Sequence, residues 1–181
     1  QLITVFFGHG GGTVWEIGPT ILEGSFHKHL FDQDNVANLT NYVRQSLVFA
    51  LTCYTNDFDN PYKAQTLGET FVISPGGAIA VIGAATRSSI NLNYSFLNRF
   101  FKNLKGQGQT RLGDILIKTK QQVNIRSANE SYLLLGDPTL EFGLPIPGIE
   151  ISNLNWDGAE EPLEFDYKLP EGTALPTRVE Y

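Results

Sequence analysis

Methionine is absent from this 181-residue chain, even at position 1, and cysteine occurs once, at Cys53. The missing Met makes a processed or trimmed piece of a longer polypeptide the expectation. A single cysteine excludes an internal disulfide and a Cys-rich zinc site, and it leaves the redox compartment open. No apolar run approaches the roughly 18 residues of a membrane span, and no basic n-region precedes the first apolar residues, so neither a span nor a signal peptide is expected. A basic surplus is missing too. The formal net charge is −6, against the positive footprint that nucleic-acid binding needs, so no nucleic-acid partner is expected.

The acidity is localised. Residues 146–181 carry eight acids against Lys168 and Arg178, while residues 1–145 balance at zero. That shift marks a boundary near Pro145-Ile146-Pro147. Residues 146–181 read as an acidic, Pro-containing linker and the start of a β-rich module, with β-type stretches at Glu164–Leu169 and Arg178–Tyr181.

Before the boundary, strands and helices alternate. Leu2–Phe7, Leu47–Thr52 and Ala78–Gly83 are short apolar runs of the kind buried on both faces of a parallel sheet. Ala64–Val72 reads as a helix. Leu92, Phe96, Leu97, Phe100, Phe101 and Leu104 line the wide apolar face of another helix, and Leu112, Ile115, Leu116, Thr119 and Val123 trace a third. Glu16–Thr40 reads as a long polar connection with one helical turn around Val36–Tyr42, which leaves His27-Lys28-His29 in a solvated loop. Thr139–Leu144 reads as a last short strand after the turn Gly136-Asp137-Pro138. This order predicts an α/β domain over 1–145 with a largely parallel sheet, its three apolar strands adjacent.

The chemistry gathers at two strand ends. Gly8-His9-Gly10-Gly11-Gly12 closes the first strand, and Cys53 follows the second. Loops at the carboxyl ends of parallel strands open into one crevice. An imidazole and a thiol brought together there form a candidate base and nucleophile. Other readings of the glycine run fail on spacing. A dinucleotide fingerprint counted from Gly8 meets Thr13 where its last glycine belongs. The His-Gly-Gly-Gly motif of lipases needs a downstream Gly-x-Ser-x-Gly elbow, which the sequence does not contain. Asn56-Asp57-Phe58-Asp59-Asn60 offers oxygen ligands for a structural calcium but lacks EF-hand spacing, so Asx turns are the favoured reading. No cofactor and no other metal are expected. A pocket bounded by Trp15, the turn after Cys53 and Ala84–Ile90 is expected, with Ala84-Ala85-Thr86 leaving room for a substrate side chain. Asp57 and Asp59 are candidates to read a basic one, and Trp15 is equally readable as core.

Taken in order, these segments resemble the gingipain family of cysteine peptidases in the caspase-like clan. The matching pieces are Phe6-Phe7-Gly8-His9-Gly10 with Trp15, Ala50-Leu51-Thr52-Cys53, Leu67-Gly68-Glu69, Gly76–Ile82, Leu112-Gly113-Asp114 and Leu134–Pro138. The type IX secretion sortase, a relative of the gingipains, shares the pattern. The resemblance implies a three-layer α/β sandwich followed by an immunoglobulin-like module. It implies His9 as catalytic histidine, Cys53 as nucleophile, and the N–H groups of Gly10 and Cys53 as an oxyanion hole. It further implies a protein or peptide substrate, a secreted, periplasmic or cell-surface location, and an upstream part of the same polypeptide as partner. The resemblance also leads one to expect strands before the histidine strand, with any upstream carboxylate that orients His9 or reads a basic substrate residue, and these are not in this sequence. An endopeptidase is the leading expectation; a sortase-like transpeptidase and a catalytically silent scaffold are the alternatives.

Overall fold

Ser46–Leu51 buries every side chain after its first, which fits only the interior of a sheet covered on both faces. The computed structural model describes residues 3–17, 28–61, 65–105, 111–123, 125–141, 150–155 and 164–168. The chain divides into two units, Gln1–Phe142 and Gly143–Tyr181. Within the described residues, the first unit runs β1 (Ile3–Phe7), β2 (His9–Gly10), β3 (Val14–Ile17), β4 (Lys28–Asp32), α1 (Gln33–Ala37), β5 (Ser46–Leu51), α2 (Leu67–Ile73), β6 (Ala78–Ala84), α3 (Ile90–Lys105), α4 (Leu112–Val123), α5 (Arg126–Ser131) and β7 (Tyr132–Gly136). In the second unit, β8 (Glu150–Asn155) and β9 (Glu164–Lys168) pair antiparallel. Arg178–Tyr181 lies outside the described residues.

The main sheet has the order β1-β5-β6-β7. β1, β5 and β6 are parallel neighbours, with Phe7 opposite Leu51 and Ala50 opposite Gly83. β7 closes the order antiparallel to β6. Alternation along β5 sends side chains to two apolar layers. Val48 and Ala50 join Val81 of β6 and Leu67 and Phe71 of α2 in one cluster. Phe49, on the opposite face, meets Phe100 of α3 edge to face at 4.6 Å between centroids. The helices thus cover both faces of a largely parallel sheet, the expected α/β sandwich.

Local chemistry starts the helices where they begin. The Asp32 side chain accepts from the Asn35 N–H while the Asn35 side chain accepts from the Asp32 N–H, a capping box that opens α1. Thr66 and Glu69 make the same reciprocal pair at α2.

Several stretches differ from the sequence reading. Leu2–Phe7, read as buried on both faces, forms β1 at the end of the strand order, and Val5 and Phe7 are exposed there because only β5 flanks it. The helical turn placed at Val36–Tyr42 begins earlier, at Gln33, because the Asp32 cap sits there. Glu16–Thr40 is not one solvated connection: β3 ends at Ile17, and Lys28–Asp32 pairs with it as β4, so His29 is a strand residue. Thr139 opens no strand, because its N–H and hydroxyl both bond the Asp137 carboxylate and hold a turn. Those bonds lower the Asp137 pKa. The strand lies instead at Tyr132–Gly136, and Glu141 makes only an isolated bridge with Arg111. Leu144 lies outside the described residues.

Phe49 is fully buried. Phe49→Ala is therefore expected to cost about 3–5 kcal/mol in urea unfolding; a loss below about 1 kcal/mol would contradict the packing described.

Candidate active site

The ends of β1 and β5 meet through backbone and glycine. The Gly8 N–H reaches the Leu51 carbonyl at 3.5 Å, carrying the parallel ladder one step past β1. Gly10 then lies against Thr52 so closely that a Cβ there would stand 2.7 Å from Thr52 Oγ1 and 3.0 Å from the Val14 carbonyl oxygen. Only glycine permits that approach. His9 and Cys53 each adjoin this contact in sequence. His9 is exposed and Cys53 half-buried.

After Cys53 the chain turns sharply. Tyr54 has φ +60°, the one described non-glycine residue in the left-handed region, a conformation that costs of order 1–3 kcal/mol and persists only where surrounding bonds dictate it. Those bonds are present. The Tyr54 N–H bonds the Thr86 carbonyl at 3.1 Å, and the Asn56 N–H bonds the Ala84 carbonyl at 3.0 Å. The segment after β6 thereby lies along the cysteine loop. The Ser88 N–H donates to Cys53 Sγ at 3.4 Å, and the thiol faces the Ser88 carbonyl at 3.6 Å.

Several polar groups support this corner from within. The Asn56 side chain donates to the carbonyls of Gly83 and Leu133. Tyr132, fully buried and stacked on Phe96 at 4.1 Å, donates its hydroxyl to Asn93. Asn93 in turn donates to the Leu51 carbonyl at 2.9 Å. Burial pushes the Tyr132 phenol far above its ordinary range, and the neighbouring Cys53 adds to the rise. Neither Asn93 nor Tyr132 stood out in the sequence as a site residue, Asn56 was readable there as a turn cap or calcium ligand, and Ser88 only as part of the pocket-bounding stretch 84–90. The available signal was Asn93, a polar residue three positions before Phe96 on the apolar face of α3.

The expected pocket residues divide. Ala84 is buried, Ala85 half-buried and Thr86 exposed, in the segment beside the Cys53 loop. Asp57 is half-buried and accepts from the Asn60 amide at 2.8 Å, whereas Asp59 is exposed. Trp15 packs as core, at 5% exposure. It stacks on Phe6 at 4.4 Å, touches Phe31 and Phe71, and donates from Nε1 to Thr55 Oγ1 at 3.2 Å. It therefore supports the cysteine loop from beneath. Among the described residues, no three His, Cys, Asp or Glu side chains gather to hold a metal, and no helix is long and apolar enough to cross a membrane.

The description of peptidase family C25 matches residues 1–143. No curated protein matches. Among solved structures, the chain is similar to a protease, with 17% identity and TM-score 0.65 over 86% of this chain and 40% of that one. It is similar to the complex of Porphyromonas gingivalis RgpB pro- and mature domains, with 18% identity and TM-score 0.64 over 83% of this chain and 36% of that one. It is also similar to the Arg-specific cysteine proteinase gingipain R, RgpB, with 17% identity and TM-score 0.63 over the same shares, 83% and 36%. These likenesses show the fold. The chain thus spans no more than two-fifths of each of these structures.

The buried Tyr132 phenol gives the corner a measurable pH signature. Its pKa is raised in the folded state, so the stability it contributes is complete below about pH 10, the unfolded value. Above that pH the unfolded chain releases a proton that the folded state retains, and stability falls by up to about 1.4 kcal/mol per pH unit. Tyr132→Phe is expected to remove that alkaline slope in denaturant melts compared from pH 9 to 11. Equal slopes in the two proteins would contradict it.

Proposed function

The chain belongs to peptidase family C25, and on that premise we propose that it is a cysteine endopeptidase with Cys53 as nucleophile and His9 as its general base and acid. One observation carries the assignment. His9 and Cys53 follow the ends of adjacent parallel strands, and those ends touch where Gly10 meets Thr52.

The steps follow from the chemistry of the two side chains. His9 takes the thiol proton, and Cys53 Sγ attacks the carbonyl carbon of a peptide bond. The N–H groups of Gly10 and Cys53 donate to the oxyanion that forms. Glycine at position 10 keeps a side chain out of the scissile bond's path. The imidazolium then protonates the leaving amine. Water attacks the resulting thioester, its proton passing to His9, and the product acid leaves as the thiol is restored.

The substrate is a protein or peptide. Ala85 and Thr86 offer small side chains beside the Cys53 loop, with Ala84 buried beneath them, and Asp57 and Asp59 are the acids of that loop available to a basic substrate residue. An upstream part of the same polypeptide as partner and an extracytoplasmic location belong to the same proposal.

Cys53→Ala is expected to abolish cleavage of an unfolded protein substrate while the circular dichroism spectrum stays unchanged, since little packing is lost. His9→Ala is expected to lower kcat/KM by at least ~10²-fold. Full activity in Cys53→Ala ends the proposal. Transfer of the acyl group to an added amine, at the expense of hydrolysis, would make the enzyme a transpeptidase; no turnover of any peptide would favour a scaffold.

A further inference from the structure

The small sheet β2-β3-β4 carries a row of three ionisable side chains that the chemistry above leaves unused except for the first. Its register sets His9 opposite Glu16 and Glu16 opposite His29. Directly opposed residues of antiparallel strands project to one face, with Cβ atoms about 4.5–5.5 Å apart. A β-bulge creates the row. Trp15 faces Phe31, but the next residue, Glu16, faces His29, so Leu30 is left over. In an unbroken ladder Glu16 would face Leu30. Bulges next to active sites commonly re-aim a side chain in this way.

The re-aimed pair is in contact: His29 Nε2 lies 3.8 Å from Glu16 Oε1, with the Glu16 side chain 22% exposed and that of His29 69% exposed. Trp15, the preceding residue, projects to the opposite face and is locked in the aromatic core. β3 is thereby held in rotation, and the Glu16 carboxylate is presented on the His9 side of the sheet.

A carboxylate that accepts from one imidazole nitrogen fixes the tautomer and orientation of the ring and stabilises the imidazolium. We propose that Glu16 is the positioning residue of His9, accepting a hydrogen bond from one ring nitrogen while His29 anchors the carboxylate from the far strand. The proposal rests on the general-base role of His9 given above. It places the orienting acid seven residues after the histidine, on the neighbouring strand.

Glu16→Gln keeps the shape and removes the charge; Glu16→Asp keeps the charge. Because Glu16 is partly exposed, neither change removes core packing. Steady-state kinetics on a peptide substrate should show kcat reduced at least ~10-fold in Glu16→Gln with KM unchanged. The loss should fall short of the ~10⁴-fold seen when a buried triad carboxylate is neutralised. Glu16→Asp should recover part of kcat. Independently of turnover, ¹⁵N imidazole spectra of His9 in a Cys53→Ala background should change tautomer ratio in Glu16→Gln and keep it in Glu16→Asp. An inactive His9→Ala beside a Glu16→Gln protein with wild-type kcat and an unaltered His9 spectrum overturns the positioning role alone. A fully active His9→Ala overturns the reading on which it rests as well.

Discussion

The amide of Asn56 donates from one nitrogen to two carbonyls, those of Gly83 at 3.3 Å and Leu133 at 3.1 Å, which face each other across β6 and β7. Its backbone N–H bonds the Ala84 carbonyl. One buried residue thus pins the loop after Cys53 to two strands at once. Replacing it would leave those buried carbonyls without this donor, a penalty of roughly 1–3 kcal/mol for each group left unpaired. Glycines make room for it: a Cβ on Gly68 would stand 2.0 Å from Asn56 Oδ1, and one on Gly83 would stand 3.3 Å from its Cγ. The left-handed Tyr54 and the contact of Ser88 with Cys53 Sγ both follow from a loop held at this point.

From the other side the histidine segment is fixed by different means. Gly8 extends the β1–β5 ladder, and Gly10 rests on Thr52. Trp15 then anchors the small sheet by stacking on Phe6 of β1 and bonding Thr55 in the cysteine loop. The two catalytic candidates therefore stand on separate supports that share the end of β5. That end is held from behind by Asn93, which donates to the Leu51 carbonyl and accepts from Tyr132. A reacting pair on such supports loses little orientational freedom on binding substrate, which is where much of the advantage of preorganised catalysis arises.

The parts of this arrangement legible in the sequence are those built on periodicity. Leu47–Leu51 and Ala78–Gly83 are apolar on every residue and had to be central parallel strands, and the stripe from Leu92 to Leu104 had to be a helix. Glycines clustered after β1 marked the histidine loop, but their close approach to Thr52 is seen only once β5 lies beside β1. The parts that escaped rest on pairing between residues distant in sequence. Lys28–Asp32 mixes charge with apolar residues and is a strand only because β3 lies beside it. The bulge that sets His29 opposite Glu16 has no local signature, since Leu30 is an ordinary strand residue. Asn56 resembled a turn cap or a calcium ligand because Asn favours turns; its burial depends on β6 and β7, which arrive later in the chain.

Covalent capture reads the central claim most directly, since Cys53 is the one cysteine of the chain. The protein, folded and denatured, is treated with a library of peptidyl acyloxymethyl ketones, and the adducts are mapped by mass spectrometry. A cysteine peptidase predicts one adduct per chain on Cys53, formed by a subset of peptides, in the folded state only. Labelling that is absent from folded Cys53, or that proceeds equally in the denatured chain and regardless of peptide sequence, would contradict it.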